Sequence, residues 1–473
     1  MAEIAYCRIY PSIGVARLGD SPSHFFFGPE APGCPPNPDD GFRDPDGRIQ
    51  RQAARFRIYG YDAGGNVVGE ITQASPGTTI QWTAQLANRK AAWYRFLGTK
   101  KGQQLDQNPD PKKLRNQKVA DRTKLAIIAS AKRITGVSQK GPAFQFDDGY
   151  FFDTPVYLGE LQTDDSGRLI VLGGRGKSER TAEGKPLFTY ANNDYWHDDV
   201  SDGPVTASVK INGAEVPVKG TAWVLVAPPK FAPAHGNIVT LYEVMMEAAG
   251  IKPPDKLSFA RDIYPLFDRM AGYQWINAMA LRGHGPRKGG NFHNPDIIAA
   301  LADNSAAQST FRQNVFARIR SPRKRTADQA NYYFMPILSG DEGDATVGEP
   351  DTWLYLLETQ YSILERWAAG DFTNDWDPHA PPPPPIEQIA LADQPAALTR
   401  AALEYCVGGP FFPGIEMTYI ARYSDWYDEP CRFREGKFEA GDMTKRMAVP
   451  WQADFFECQV HWWPAQRPDD VVN

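Results

Sequence analysis

The stretch ARFRIYGYDAGGNVVGEIT (residues 54–72) decides the architecture of the first half of this chain. Apolar and polar side chains alternate on both sides of Asp-Ala-Gly-Gly (62–65), the pattern of two strands joined by a hairpin turn. An amphipathic helix repeats every 3.6 residues, and this run repeats every two. Working outward, TIQWTAQ (79–85), PVYLGELQ (155–162), RLIVLGG (168–174), ASVKING (207–213) and AWVLVAPP (222–229) read as further short strands. Strands at this spacing, separated by turn residues, predict a sandwich or an open barrel. One helix is expected to interrupt them, over LANRKAAWYRF (86–96).

From about residue 238 the period becomes helical. Helices are expected over 239–249, 259–281, 295–303 and 307–320. The strongest pattern, DTWLYLLETQYSILERWAAGDF (351–372), predicts one with Asp351 as N-cap and Gly370 near its C-terminus. Another is expected over PAALTRAALEYC (395–406), stopped by Gly408-Gly409. Between the last two, DPHAPPPPPIEQ (377–388) reads as a stiff, extended spacer or strap. The expected fold class is therefore α+β. It comprises a β-rich domain over 1–235, a mainly helical domain over 236–376, the connector over 377–388 and a C-terminal segment over 389–473 packed on the others. A chain of 473 residues is long enough for two or three domains.

Composition excludes several classes of function. A net charge of −6 argues against nucleic acid as a partner, and the basic run RIRSPRKR (318–325) reads as a solvated helix end. The five cysteines (Cys7, Cys34, Cys406, Cys431, Cys458) show no C-x-x-C spacing, so neither a zinc site nor a redox dithiol is indicated. His284 and His293 lie among glycines without a ligand spacing, and no dinucleotide fingerprint or P-loop is present. No metal, NAD or flavin is expected. The N-terminus MAEIAYCRIYPSIG lacks a signal pattern, and no stretch approaches the roughly 18 apolar residues of a membrane helix. The default expectation is a cytoplasmic protein without membrane contact, and export by a non-standard route is compatible with it.

Two residue types carry chemistry. Cys406 lies in EYCVGGPFFPGIE (404–416), whose glycines allow close backbone approach and whose prolines restrict motion. Trp451 lies in AVPWQADF, and Trp462 and Trp463 in HWWPAQRPDD. A free cysteine is most often a small buried hydrophobe, and core tryptophans beside prolines are common. A thiol and an oxidised indole in contact, however, form a protein-derived quinone. Candidate bases are Glu416, ten residues after Cys406, Asp341 and Asp344 in SGDEGD, a segment expected to approach the pocket, and His461 beside the Trp pair, and candidate cations for a substrate carboxylate are Arg434, Lys437, Lys445 and Arg446.

Eight stretches carry a resemblance: YPSIGVARLGDS (10–21), RQAARFRIYGYD (51–62), LANRKAAWY (86–94), DDVSDGPV (198–205), FMPILSGDEGD (334–344), CVGGPFFPGIEMTYI (406–420), GDMTKRMAVPWQADF (441–455) and WWPAQRPDD (462–470). Taken in order they span the chain, which resembles the lysine ε-oxidase and glycine oxidase family of quinoproteins, whose cofactor is cysteine tryptophylquinone. The resemblance implies that Cys406 is the cofactor cysteine and Trp451 the favoured cofactor tryptophan, with Trp462 or Trp463 as runners-up. It implies oxidative deamination of a small primary amine or amino acid with O2, giving an aldehyde or 2-oxo acid, ammonia and hydrogen peroxide. It further implies maturation by a separate flavoprotein and a homo-oligomeric state. Glu416 or His461 would remove the α-proton. One departure stands out: the family's acid about one turn before the cysteine is missing, since 399–402 read Thr-Arg-Ala-Ala and the nearest acid is Glu404. The rival readings are a family member that oxidises a residue within a peptide or protein, and a quinone-less binding or assembly protein.

Overall fold

A computed structural model describes residues 3–99, 105, 107–230 and 232–455. Its centre is a mixed sheet of 14 strands, eight of which form a continuous path. In chain order the strands used below are β1 (Tyr6–Tyr10), β2 (Ile13–Arg17), β3 (Phe25–Phe27), β4 (Arg51–Tyr61), β5 (Val67–Ile71) and β6 (Thr78–Ala84). They continue with β7 (Lys132–Thr135), β8 (Gly159–Thr163), β9 (Leu169–Gly173), β10 (Ser201–Ile211) and β11 (Ala222–Ala227). The path runs β8-β9-β4-β2-β11-β10-β6-β7. Its two ends meet through Gln139, whose N–H donates to Thr163 Oγ1 at 2.9 Å and whose carbonyl accepts from Thr163 N at 2.9 Å. The sheet is thus curled into an open barrel, and β4 and β5 form the expected antiparallel hairpin across Asp62–Gly65.

Strand alternation gives the sheet two buried faces. Ala16, Leu18, Phe56, Ile58, Trp82, Val224 and Val226 point into the barrel. Ile13, Val15, Trp223 and Leu225, the odd-numbered neighbours on β2 and β11, point outward into the helical layer. That layer contains α1 (Leu241–Ala248), α2 (Tyr264–Gly272), α3 (Ala278–His284), α4 (Pro295–Ala302), α5 (Ser309–Phe316), α6 (Glu358–Ala369) and α7 (Gln394–Glu404). α7 lies against β2: Thr399 Oγ1 accepts from Ser12 N at 3.1 Å. The connector is held to the barrel by Ile386, buried beside Tyr59 and Tyr61, and by Glu387, which pairs with Arg57 at 3.1 Å.

Four expectations differ from what is observed. Residues 86–96 form no α-helix: Ala87–Asn88 is a short strand and Lys90–Ala92 a single 3-10 turn. The cause is tertiary, because the Lys90 side chain is drawn inside to pair with Asp198. The run 259–281 is broken, with Pro265 in the first turn of α2 and the Asn277 side chain capping Met279 N and Ala280 N of α3. The strong 351–372 pattern yields a helix only over 358–369. Asp351 lies in a 3-10 turn, and Trp353–Leu356 run extended and buried, with Leu354 N bonded to Leu338 O at 3.0 Å. Gly370 does close that helix, in the left-handed conformation at φ 83. Finally, the basic run is not all solvated: Arg320 is fully buried and donates to carbonyls of Gln329, Pro336 and Leu354.

Candidate active site

Parallel pairing of β2 with β11 sets Arg17 opposite Ala227, so both strands deliver their C-terminal ends to one place. Arg17 ends β2, and Pro228-Pro229-Lys230 follow β11. α7 delivers the third component, for its C-terminus leads directly into Cys406. Cys406 is 1% exposed, and its S–H lies 3.3 Å from the carbonyl of Ala402, one turn back. Its backbone is pinned across a tight contact: Leu241 N donates to Cys406 O and Gly408 N to Val239 O. A Cβ on Gly408 would stand 2.2 Å from Thr240 O, so only glycine permits this approach.

Around the thiol stands a small buried charge cluster. Arg17 Nη2 lies 3.9 Å from Cys406 Sγ and 2.6 Å from Glu416 Oε1, and Glu416 Oε2 accepts from Val407 N at 3.1 Å. Burial pulls against the Arg17 charge, yet Glu416 and Cys406 more than offset it and hold the guanidinium above its ordinary range. Burial pushes the Cys406 thiol well up, aided by Glu416 and opposed by Arg17 and Lys230. Arg17 and Lys230 also line a cavity of about 480 Å³ whose outer wall includes Asp40, Arg43 and Gln50. A second cavity, about 500 Å³, lies among α2, α3 and α5 and is mostly apolar. Of the residues around Cys406, Arg17 and Lys230 face the first.

Trp451 is not brought to this cluster. It is buried inside the barrel with Met447, Leu86 and Ala91, whereas Cys406 belongs to the outer layer with Leu225, Leu241 and Phe411. The two belong to different hydrophobic clusters, one fed by each face of β2 and β11. A second buried pair holds Trp451 there: Lys90 Nζ lies 2.6 Å from Asp198 Oδ2, which also accepts from Trp451 N at 2.7 Å. Lys90 Nζ donates as well to Ala448 O at 2.9 Å. One strand further on, Asp202 accepts from Thr444 N, Thr444 Oγ1 and Trp223 Nε1. The stretches 86–94, 198–205 and 441–455 therefore converge on a single buried polar anchor for the C-terminal segment.

The other candidates are accounted for. Asp341 accepts from Phe411 N at 2.8 Å and pairs with Arg422 at 2.6 Å, so it clamps the GGPFFPG loop. Asp344 is half-buried in the same turn. Arg434 pairs with Asp428, Lys437 with Asp425 and Lys445 with Asp442, while Arg446 donates to Asp442 O. None of these four cations lines the cavity beside Cys406. Glu404 turns away toward Gly33 N and Arg400, so Glu416 is the carboxylate at the thiol. His461, Trp462, Trp463 and Cys458 lie outside the described residues. Arg17 and Lys230 were missed by sequence reasoning, since a charged residue ending an apolar strand reads as a surface residue. Their signal was the position itself, Arg17 inside YPSIGVARLGDS and Lys230 directly after the two prolines that follow β11.

For a cysteine-derived quinone the sulfur half fits: Cys406 is free, buried and fixed at the end of α7. Trp451 packs in the cluster inside the barrel, and Cys406 in the outer one. Among the described residues no group of three or more His, Cys, Asp or Glu could hold a metal ion, and no helix is long and apolar enough to cross a membrane.

Comparison with known proteins places these features. Residues 10–226 match the family description L-lysine epsilon oxidase N-terminal, and residues 336–473 match L-lysine epsilon oxidase C-terminal domain. The chain is 29% identical to the L-lysine 6-oxidase of Marinomonas mediterranea, over 96% of this chain and 71% of that one. A crystal structure of the L-Lys epsilon-oxidase from that organism superposes with a TM-score of 0.74 at 26% identity, covering 96% of this chain and 75% of the other. The structure of its Schiff base intermediate with L-Lys gives a TM-score of 0.73 at 27% identity over the same shares. The chain belongs to the L-lysine epsilon oxidase family.

Proposed function

We propose that this family member oxidatively deaminates a primary amine or amino acid with O2, releasing an aldehyde or 2-oxo acid, ammonia and hydrogen peroxide. The observation that carries the reading is the buried Cys406 thiol at the end of α7, with the Arg17–Glu416 pair beside it and a cavity over Arg17. Cysteine tryptophylquinone, formed from Cys406 and an indole, would supply an electrophilic carbonyl and accept two electrons. The separation of Trp451 from Cys406 favours Trp462 or Trp463 as that indole.

The chain's own residues do the rest. Arg17 and the Val407 N–H orient the Glu416 carboxylate, which is our proposed acceptor for the substrate's α-proton. The apolar outer layer packed around Cys406 keeps bulk water from the thiol. Maturation by a separate flavoprotein and assembly as a homo-oligomer belong to the same proposal.

Intact mass tests the cofactor. Cross-linking removes two hydrogens, and the dione adds two oxygens with loss of two more hydrogens. Protein from cells that hold the maturation partner should carry that change. It should persist in Trp451→Phe and vanish in Cys406→Ser and in either Trp462→Phe or Trp463→Phe. An unmodified mass in the natural sequence, or no peroxide with lysine, glycine or any other primary amine, would sink the reading.

A further inference from the structure

Lys230 lies just past β11, and nothing above uses it. Its residue is 8% exposed, and its Nζ donates to two carbonyl oxygens, those of His235 and Tyr405, the latter at 3.2 Å. Tyr405 is the residue before Cys406. An ammonium has three N–H donors, whereas a neutral amine has two and a lone pair. The two carbonyls suffice for both N–H donors of a neutral amine. Among the described residues no carboxylate bonds to this Nζ, and the nearby Glu416 bonds to Arg17 and Val407 N.

Burial opposes a third proton, and the surrounding charges act in both directions. Arg17 from β2 repels a Lys230 ammonium, while Glu416 and Cys406 from the C-terminal segment attract it. His235, whose carbonyl accepts from Lys230, is itself held low by burial and by Lys230. The Tyr405 ring lies 5.6 Å away, and Asp40 and Arg43 place one charge of each sign on the cavity wall. Burial, then Arg17, prevail and push Lys230 down to about 7.

We propose that Lys230 is the group that removes the proton from the substrate's ammonium before the amine reacts. The step is R–NH3+ + Lys–NH2 → R–NH2 + Lys–NH3+: one N–H bond breaks on the substrate, one forms on Lys230, and the electron pair left behind makes the substrate nitrogen nucleophilic. No oxidant or reductant is involved. Lys230 lines the cavity that a substrate would enter. The assignment rests on the oxidase reading proposed above, and its first test does not depend on that reading.

That test is competitive labelling of the natural protein with acetic anhydride across the neutral and alkaline range, read lysine by lysine from peptide masses. The expected midpoint for Lys230 lies near 7, far below the ordinary lysine value of about 10.4. A midpoint in the ordinary range overturns the proposal whether or not the quinone is present. The second test compares Lys230→Met and Lys230→Gln with the natural enzyme. Near neutral pH, kcat/KM should fall by roughly 10²-fold or more, the scale of a general-base contribution. The deficit should shrink as pH rises toward the substrate's own pKa, where the free amine is supplied by solution. Lys230→Gln keeps an N–H donor for the two carbonyls and guards against a folding defect in Lys230→Met. An unchanged acid limb in a folded variant overturns the proposal. Absence of peroxide from the natural enzyme would instead overturn the oxidase reading, leaving the labelling result to stand or fall alone.

Discussion

Replacing Glu416 by glutamine changes one atom in the buried cluster, and the structure says why the change is costly. The Glu416 residue is 2% exposed, and each carboxylate oxygen takes a different donor, Arg17 Nη2 at 2.6 Å and Val407 N at 3.1 Å. A carboxylate accepts at both ends, whereas an amide accepts at one and donates at the other. Whichever way the amide turns, an N–H meets an N–H. If its oxygen faces Arg17, the Val407 amide loses its acceptor. If it faces Val407, the guanidinium loses both hydrogen bond and counter-charge. In either orientation Arg17, 4% exposed, keeps its positive charge without a carboxylate. Breaking a buried pair by removing one partner costs about 3–5 kcal/mol, and Glu416→Gln should fall in that range. Removing both charges together, as Arg17→Met with Glu416→Leu, should cost far less, because no buried charge is left uncompensated. Equilibrium urea unfolding followed by tryptophan fluorescence reads this as a lower midpoint at unchanged slope. The same single variant should lose kcat/KM if Glu416 accepts the α-proton. A loss under about 1 kcal/mol in Glu416→Gln, or an equal loss in the double variant, would refute the argument.

The remaining predictions concern the framework. Lys90→Met leaves the fully buried Asp198 carboxylate without its cation and should cost about 3–5 kcal/mol, with earlier proteolytic cleavage within residues 441–451 as the local signature. Gly408→Ala drives a methyl to 2.2 Å from the Thr240 carbonyl and should destabilise by about 1–3 kcal/mol while slowing formation of the Cys406 cross-link, read as residual unmodified mass. Lys230 makes stability depend on pH: between about 7 and the unfolded value the unfolded chain holds one proton more than the folded chain. Stability from this group therefore rises as pH increases through that window, on the order of 1 kcal/mol per pH unit, and is depressed below it. Lys230→Met should flatten that part of the stability profile, measured by urea midpoints at a series of pH values.

Much of the fold was legible from residue pattern alone. A period of two survives in any sheet, so β4, β5 and the turn between them appear where the alternation placed them. Gly370 ended its helix as expected because a left-handed C-terminal residue is a local requirement. Failures came where distant residues outbid local preference. Asn88 and Lys90 gave up a helical turn to bond with Asp198, and Trp353 to Leu356 gave up helix to pair with the strand-like 338–340 segment.

The candidate site divides along the same line. Cys406 and Glu416 were visible because they share one short glycine-proline segment, whose backbone must take a particular path. Arg17 and Lys230 were not visible as partners of that segment, because their meeting depends on parallel pairing of β2 with β11. Sequence alone determined the strand and helix periods, the hairpin and the rigid loop around the thiol, since these depend on neighbours along the chain. Only the tertiary structure decided which charges surround that thiol and on which side of the sheet Trp451 lies. Adjacent residues of a strand face opposite ways, and the identity of what they meet is set by how the sheet curls and where α7 docks, neither of which any local pattern encodes.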